Sequence, residues 1–352
     1  MNFEELKKFY SGKKVLLTGH TGFKGTWLSK ILIMCGAKLT GYALNPPTDT
    51  NIFDILGLDG EMNSIIGDIR DLKYLKKVFD KVEPEYVIHM AAQPIVRESY
   101  ERPVYTYETN VMGTVNIMEC VRLSKSVRSF LNVTTDKVYD NKEQAEGYVE
   151  TDFLDGYDPY SNSKSCSELV THSYKKSFLT DLPVSCARAG NVIGGGDFAK
   201  DRIVPDCVRA AISKNSVIIR NPNSIRPFQH VLEPLFIYLD IIMRQEKDRG
   251  KYEGYFNVGP DDSDCVNAKT LVESFKRAWG DGFEFKIQSD GGPHEAGFLK
   301  LNCNKLKSIY GWKPGLNVHG AIDLSVEWYR AWYMGEDMNE ITEKQIKFYL
   351  DK

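Results

Sequence analysis

Lys14-Val15-Leu16-Leu17-Thr18-Gly19-His20-Thr21-Gly22-Phe23-Lys24-Gly25 is the stretch that decides the fold. Its first five residues read as a short strand, and residues 26–35 follow with helical spacing. The turn between them has the form G-x-x-G-x-x-G, one residue longer in its first gap than the G-x-G-x-x-G fingerprint. Residues without side chains let a pyrophosphate approach backbone N–H groups, and the helix start adds partial positive charge. Three glycines in a turn are common by themselves. Set between a strand and a helix, they make Gly19, His20, Gly22, Phe23, Lys24 and Gly25 candidate dinucleotide contacts.

The alternation continues outward. Residues 38–44 read as a second strand, closed by Asn45-Pro46-Pro47, and residues 64–66 as a brief third. Residues 72–82 predict an amphipathic helix with Leu72, Leu75, Val78, Phe79 and Val82 on one face. A fourth strand is expected at 86–90, a long helix at 104–123, a fifth strand at 127–133, a helix at 160–178 and a sixth strand at 183–187. Strands and helices alternating at this spacing imply right-handed crossovers. The fold class is therefore α/β, a doubly wound parallel sheet of Rossmann type.

After about residue 190 the rhythm changes. Gly194-Gly195-Gly196 breaks the pattern, and helices are predicted at 203–213, 266–279, 303–310 and 318–333, with a short strand at 217–219. The expected organisation is a dinucleotide-binding domain over residues 1–190, with a return segment near 228–260. A smaller mixed α/β substrate lobe occupies residues 191–352. No low-complexity linker separates the two, so a substrate is expected in the crevice between packed lobes.

Composition excludes several classes. With 42% hydrophobic and 26% charged residues the 352-residue chain is globular, and a net charge of −3 leaves no broad basic surface for a nucleic acid. No apolar run reaches the ~18 residues that span a bilayer, and the N-terminus lacks an apolar targeting segment. Seven cysteines without a C-x-x-C pair or regular spacing read as buried small hydrophobes, not as disulfides or metal ligands. A reducing cytoplasm is the expected compartment, and no metal is expected.

The acidic residue that commonly follows the second strand to hold an adenosine ribose is absent: Lys38-Leu-Thr-Gly-Tyr-Ala-Leu-Asn-Pro46 has no carboxylate, and no arginine to meet a 2′-phosphate. The reading favours NAD over NADP, held less tightly for want of that carboxylate. Asp68, just after the third strand, offers a carboxylate to the adenine amine.

Tyr160 and Lys164 lie four residues apart at the start of a predicted helix, on one face. A phenol titrates near 10, and a neighbouring ammonium favours the phenolate, so the pair can take a hydroxyl proton as hydride leaves carbon. Such pairs also occur by chance on solvated helices. Here Thr134-Thr135-Asp136-Lys137 runs off the fifth strand, and ligands in doubly wound sheets bind at the carboxyl ends of strands.

These motifs together resemble the extended short-chain dehydrogenase/reductase family, and within it the nucleotide-sugar 4,6-dehydratases. The likeness runs from about Lys13 to Tyr333. It is carried by Thr18–Gly25, Gly41-Tyr-Ala-Leu-Asn-Pro-Pro47, Ala91-Ala92-Gln93, Thr135-Asp-Lys-Val-Tyr-Asp-Asn141, Tyr157-Asp-Pro-Tyr160, the Ala187–Asp197 stretch and Ile225-Arg-Pro-Phe-Gln-His-Val231. It implies that Tyr160 takes the sugar 4-hydroxyl proton, that Lys164 holds the nicotinamide ribose, and that Thr135 bonds the 4-oxygen. Ile69, Ala91, Ala92, Gln93 and Asn110 join the cofactor contacts by the same likeness. After C4 oxidation, water leaves across C5–C6 and hydride returns to C6.

Many of these dehydratases carry an Asp-Glu pair at the strand end for the elimination. This chain has Asp136-Lys137, a pattern that resembles the branch taking CDP-glucose. Acid and base stay open between the two residues. The substrate's pyrophosphate calls for fixed cations, and Arg226 is the first candidate, since guanidinium grips phosphate in a planar fork. Arg202 and Arg220 follow, with Gln93, Asn191 and His294 as further substrate contacts, whereas Arg188 reads as a loop brace and His230 equally as a core residue. The resemblance also implies a homodimer built on the helices at 104–123 and 160–178. An epimerase or reductase on this fold would leave Asp136 without a task, and a non-catalytic dinucleotide sensor commonly lacks the tyrosine and lysine.

Overall fold

The computed structural model describes residues 2–288 and 297–351. His294 and its neighbour Glu295 therefore lie outside the described residues. Seven strands form one sheet: β1 (Lys14–Thr18), β2 (Lys38–Ala43), β3 (Asn63–Ile66), β4 (Tyr86–His89), β5 (Ser129–Thr135), β6 (Val184–Ala189) and β7 (Tyr255–Val258). Their order is β7-β6-β5-β4-β1-β2-β3, and every pairing is parallel. The order reverses between β1 and β4, the kind of switch point where doubly wound sheets bind ligands. Thr18 lies opposite Tyr42 and His89, and Thr135 opposite Ala189, so the carboxyl ends line up along one edge.

β5 and β6 are buried at every residue, which demands cover on both faces. Because side chains alternate along a strand, Leu17, Ile88 and Leu131 pack to one side with α1 (Phe23–Met34) and α3 (Leu232–Lys247). Leu16, Val87 and Phe130 pack to the other, with the helices Leu72–Val82 and Gly113–Leu123. α2 (Pro159–Ser177) lies against β5. Its N-terminus is set by Pro159 in the first turn and by Asp158, whose carboxylate accepts from Ser161 N at 2.9 Å.

Several expected elements differ; the fifth strand, expected at 127–133, runs over Ser129–Thr135 and so carries Thr134 and Thr135, and the first helix, expected at 26–35, runs over Phe23–Met34. The helix at 104–123 is interrupted: Pro103–Tyr107 and Gly113–Leu123 flank a π turn over Glu108–Met112. That extra residue in the turn carries Asn110 inward, where its amide meets Gln93 O and the Ser163 hydroxyl. The helix at 266–279 starts at Ala268, because Cys265–Asn267 pairs antiparallel with Ile225–Pro227 and Asn267 caps the helix through Thr270 N. The sixth strand runs on to Ala189 and so includes Arg188. α3 and the last helix, Met338–Leu350, were not singled out. α3 is buried on nearly all sides and shows no polar stripe. Its Glu233 fastens the C-terminus, accepting from Gly315 N, Leu316 N and the Tyr349 hydroxyl. Among the described residues no helix is long and apolar enough to cross a membrane.

Candidate active site

A cavity of about 990 Å³ opens at the carboxyl edge of the sheet, between the glycine turn, the ends of β4, β5 and β6, and segments of the second lobe. The three glycines of the turn serve different ends. Gly19 has φ +81° and sits so close to Ala91 that a Cβ would approach its nitrogen to 2.9 Å. A Cβ on Gly25 would overlap the Gly19 carbonyl. Gly22 has an ordinary φ of −81° and only Gly19 O within reach, at 3.5 Å. The chain itself requires the first two; the third leaves the cavity wall open. Gly22 is also the N-cap of α1 and supplies no side-chain acceptor, so first-turn N–H groups are left for an anion. A dinucleotide pyrophosphate fits this cradle.

Of the expected cofactor contacts, Gly19, Gly22, Phe23, Lys24, Gly25, Asp68, Ile69, Ala91, Ala92 and Gln93 line the cavity. His20 does not. Its imidazole turns behind the turn, bonded to the Ser64 hydroxyl at 2.8 Å and packed edge-on against Phe53, where burial pulls its pKa down to about 4. Asn110 is not on the wall either. It holds the wall in place, accepting from Gln93 N at 2.8 Å and donating to Gln93 O and Ser163. The Asp68 carboxylate, expected to face an adenine amine, lines the cavity and also accepts the Arg70 guanidinium at 2.7–3.1 Å, which holds it below the usual carboxylate range.

The chemistry-bearing groups converge at the end of β5. The Thr135 hydroxyl donates to Asp136 Oδ1 at 2.9 Å. Asp136 is 1% exposed, and its Oδ2 has no hydrogen-bond partner. Asp136 and Lys137 form no ion pair with each other among the described residues, and both line the cavity. Tyr160 comes in from α2. The expected lowering of its phenol is reversed: burial dominates and pushes it up to about 12, against the Thr135 hydroxyl and the Arg202 charge, which favour the phenolate. Lys164 does not offset this, because its Nζ donates to Val133 O at 3.0 Å and burial draws it down to about 8. Tyr160 thus rests as a protonated phenol, and only its phenolate form can take up a further proton. Lys24, with Lys164 and Arg202 as like-charged neighbours, is pulled by burial to about 7.

Among the expected substrate contacts, Asn191, Arg202, Arg220 and Arg226 all line the cavity. Arg202 is paired with Asp197 and Arg220 with Asp201, both at 2.8 Å. Arg226 is buried, with Nη1 on Ile225 O at 2.9 Å. His230 lies in the core beside Trp27, its pKa drawn down to about 3. Arg188 is a buried brace, doubly bonded to Glu168. Sequence reasoning missed Glu168, although it falls four residues after Lys164 on the same face.

This fold and this cluster define an extended short-chain dehydrogenase/reductase acting on nucleotide sugars. The family model described as GDP-mannose 4,6 dehydratase matches residues 16–323, and the chain belongs to that family of NAD-dependent hydro-lyases. It is 45% identical over 351 residues to the CDP-glucose 4,6-dehydratase of Salmonella typhimurium, covering 98% of both chains. It is 28% identical to the CDP-paratose 2-epimerase of Salmonella typhi, over 75% of this chain and 82% of that one. Its fold is that of the Bacillus anthracis dTDP-glucose 4,6-dehydratase solved in complex with NAD, with a TM-score of 0.77, 19% identity, and coverage of 93% of this chain and 100% of that one.

Proposed function

We propose that this enzyme converts CDP-glucose to CDP-4-keto-6-deoxyglucose, with NAD held along the glycine turn. The observation that carries the reading is a single cavity lined by Tyr160, the reacting member of the redox pair, and by the elimination groups Asp136 and Lys137, with Lys164 buried one turn further along α2. When bound, NAD accepts a hydride from C4 of the sugar and returns one to C6.

Tyr160, as the phenolate, receives the 4-hydroxyl proton, and the Thr135 hydroxyl beside it steadies the 4-oxygen. The 4-ketone then acidifies the C5 proton. Asp136 is the donor to the departing C6 hydroxyl: its unpartnered Oδ2, shut away from water, is the one carboxylate oxygen of the strand end free to hold a proton. Lys137, at the cavity wall, is the base that takes the C5 proton. Arg202, Arg220 and Arg226 meet the pyrophosphate, and Asn191 the sugar. The division into a dinucleotide domain and a substrate lobe follows this division of labour. The free cysteines suit a reducing cytoplasm. The helices at 104–123 and 160–178 suit a homodimer, since they present Val104 and Leu169 to solvent.

The test is to incubate the protein with NAD and CDP-glucose, dTDP-glucose, GDP-mannose or UDP-GlcNAc and follow loss of one water by mass spectrometry. Loss from CDP-glucose is expected; loss from none sinks the reading, and loss from another sugar nucleotide alone moves the substrate. Asp136→Asn is expected to stall after C4 oxidation with reduced nicotinamide accumulating, roughly 10²–10⁴-fold below the parent in product release. Normal turnover would remove Asp136 from the acid role.

A further inference from the structure

Tyr160, Lys164 and Glu168 succeed one another at intervals of four on α2, so all three share the face turned to the sheet. Glu168 is 1% exposed and belongs to no step described above. Its Oε1 accepts from the Thr134 hydroxyl at 2.5 Å and from Arg188 Nε at 2.8 Å, and its Oε2 accepts from Nε and Nη2 of the same guanidinium. Arg188 Nη1 donates onward to the Tyr139 hydroxyl at 2.7 Å and to Glu150 O at 3.1 Å. Lys164 meanwhile donates to Val133 O. Val133 and Thr134 immediately precede Thr135-Asp136, and Tyr139 follows within three residues. The reacting strand end is therefore tied to α2 on both sides, and the ties at Thr134 and Tyr139 pass through one carboxylate, while Ser165 adds a bond to Val138 O.

We propose that Glu168, clamped by Arg188, is a positioning residue for the dehydration: it fixes the Thr135-Asp136 strand end against the Tyr160 helix and sets a carboxylate one turn from Lys164 on the same face. Lys164 needs such support. Lys24 on α1 and His89 on β4 face it, the first adding like charge. Cys186 on β6, its thiol pushed up by burial, Tyr160 as a phenol and Val133 O offer no formal charge, and Asp136 lies beyond Thr135 at the end of β5. The Glu168 charge is the strongest influence that opposes the desolvation of Lys164. Burying a carboxylate at this depth is stable only with a partner, and Arg188 supplies it.

The inference rests on the roles given to Tyr160 and Lys164, and the experiment separates the two. Holoenzyme turning over CDP-glucose is followed as a function of pH for the parent, Glu168→Gln, the double variant Glu168→Gln/Arg188→Met, and Lys164→Met as control. Glu168→Gln is expected to move the alkaline fall in kcat down by about one pH unit, with KM within about twofold of the parent. The double variant buries no unpaired charge and shows the same displacement even if the single one does not fold. An alkaline limb unmoved in the folded variants overturns the inference, because a merely structural carboxylate lowers stability without moving a titration. If Lys164→Met keeps the parent's activity and profile, it is the underlying assignment of Lys164 that fails.

Discussion

Lys24 stands half-buried at the first turn of α1 with its Nζ 5.8 Å from the centre of the Tyr238 ring, and like-charged Lys164 and Arg202 nearby. Its pKa falls from 10.5 to about 7 on folding, mainly through desolvation. Below pH 7 folded and unfolded chains both carry the ammonium, and the cost of burying it is felt in full. Between pH 7 and 10.5 the folded chain has released a proton that the unfolded chain still holds, so stability rises with pH across that window. Lys164, drawn down to about 8, adds the same sign at a slightly higher pH. Lys24→Met is therefore expected to melt above the parent at neutral pH and to gain less on going to about pH 9. Melting curves at the two pH values check this, and an equal offset between variant and parent at both would refute it.

At the scale of the element, the glycine turn and α1 make a contrast that two small substitutions can read. Gly25→Ala drives a methyl into the Gly19 carbonyl and separates α1 from β1, so it is expected to lower the melting temperature and abolish NAD binding together. Gly22→Ala meets no backbone closer than 3.5 Å and has a permitted φ, so the fold should melt within a few degrees of the parent. NAD affinity should still drop by roughly tenfold, because the methyl occupies the anion's approach to the helix N-terminus. Calorimetry and an NAD titration separate the two effects. Unchanged NAD affinity in a folded Gly22→Ala variant would mean that the pyrophosphate lies elsewhere.

Across the whole molecule exposed apolar side chains occur in several places, and some of them lie on or beside the helices next to the active site. Val104 is 70% exposed, Leu169 55% and Phe178 58%, while the same helices carry Asn110, Tyr160 and Lys164 on their inner faces. Apolar side chains grouped on helices of this length are the usual material of an isologous interface. Leu169→Arg tests the proposed homodimer: the variant is expected to sediment as a monomer at micromolar concentration and the parent as a dimer. Because α2 carries Tyr160 and Lys164, turnover should fall with the dimer. A variant that sediments as the parent does would remove this face from the proposed homodimer.

Much was legible along the chain because local rules govern it. The β1 run, the glycine turn and the four-residue spacing of Tyr160 and Lys164 each depend on near neighbours, and they determined the sheet class, the cofactor cradle and the redox pair. What depends on distant partners was not legible. His20 sits inside the fingerprint yet faces Ser64 and Phe53, because Gly41 on β2 leaves room for its ring. Asp68 has the right place for an adenine amine but closer company in Arg70. α3 escaped an amphipathic search because both of its faces are covered. Tyr160 shows the division most plainly. Its proximity to a lysine follows from helical spacing, but its resting protonation is decided by burial and by the Val133 carbonyl that engages that lysine, contacts that exist only once β5 and α2 have packed.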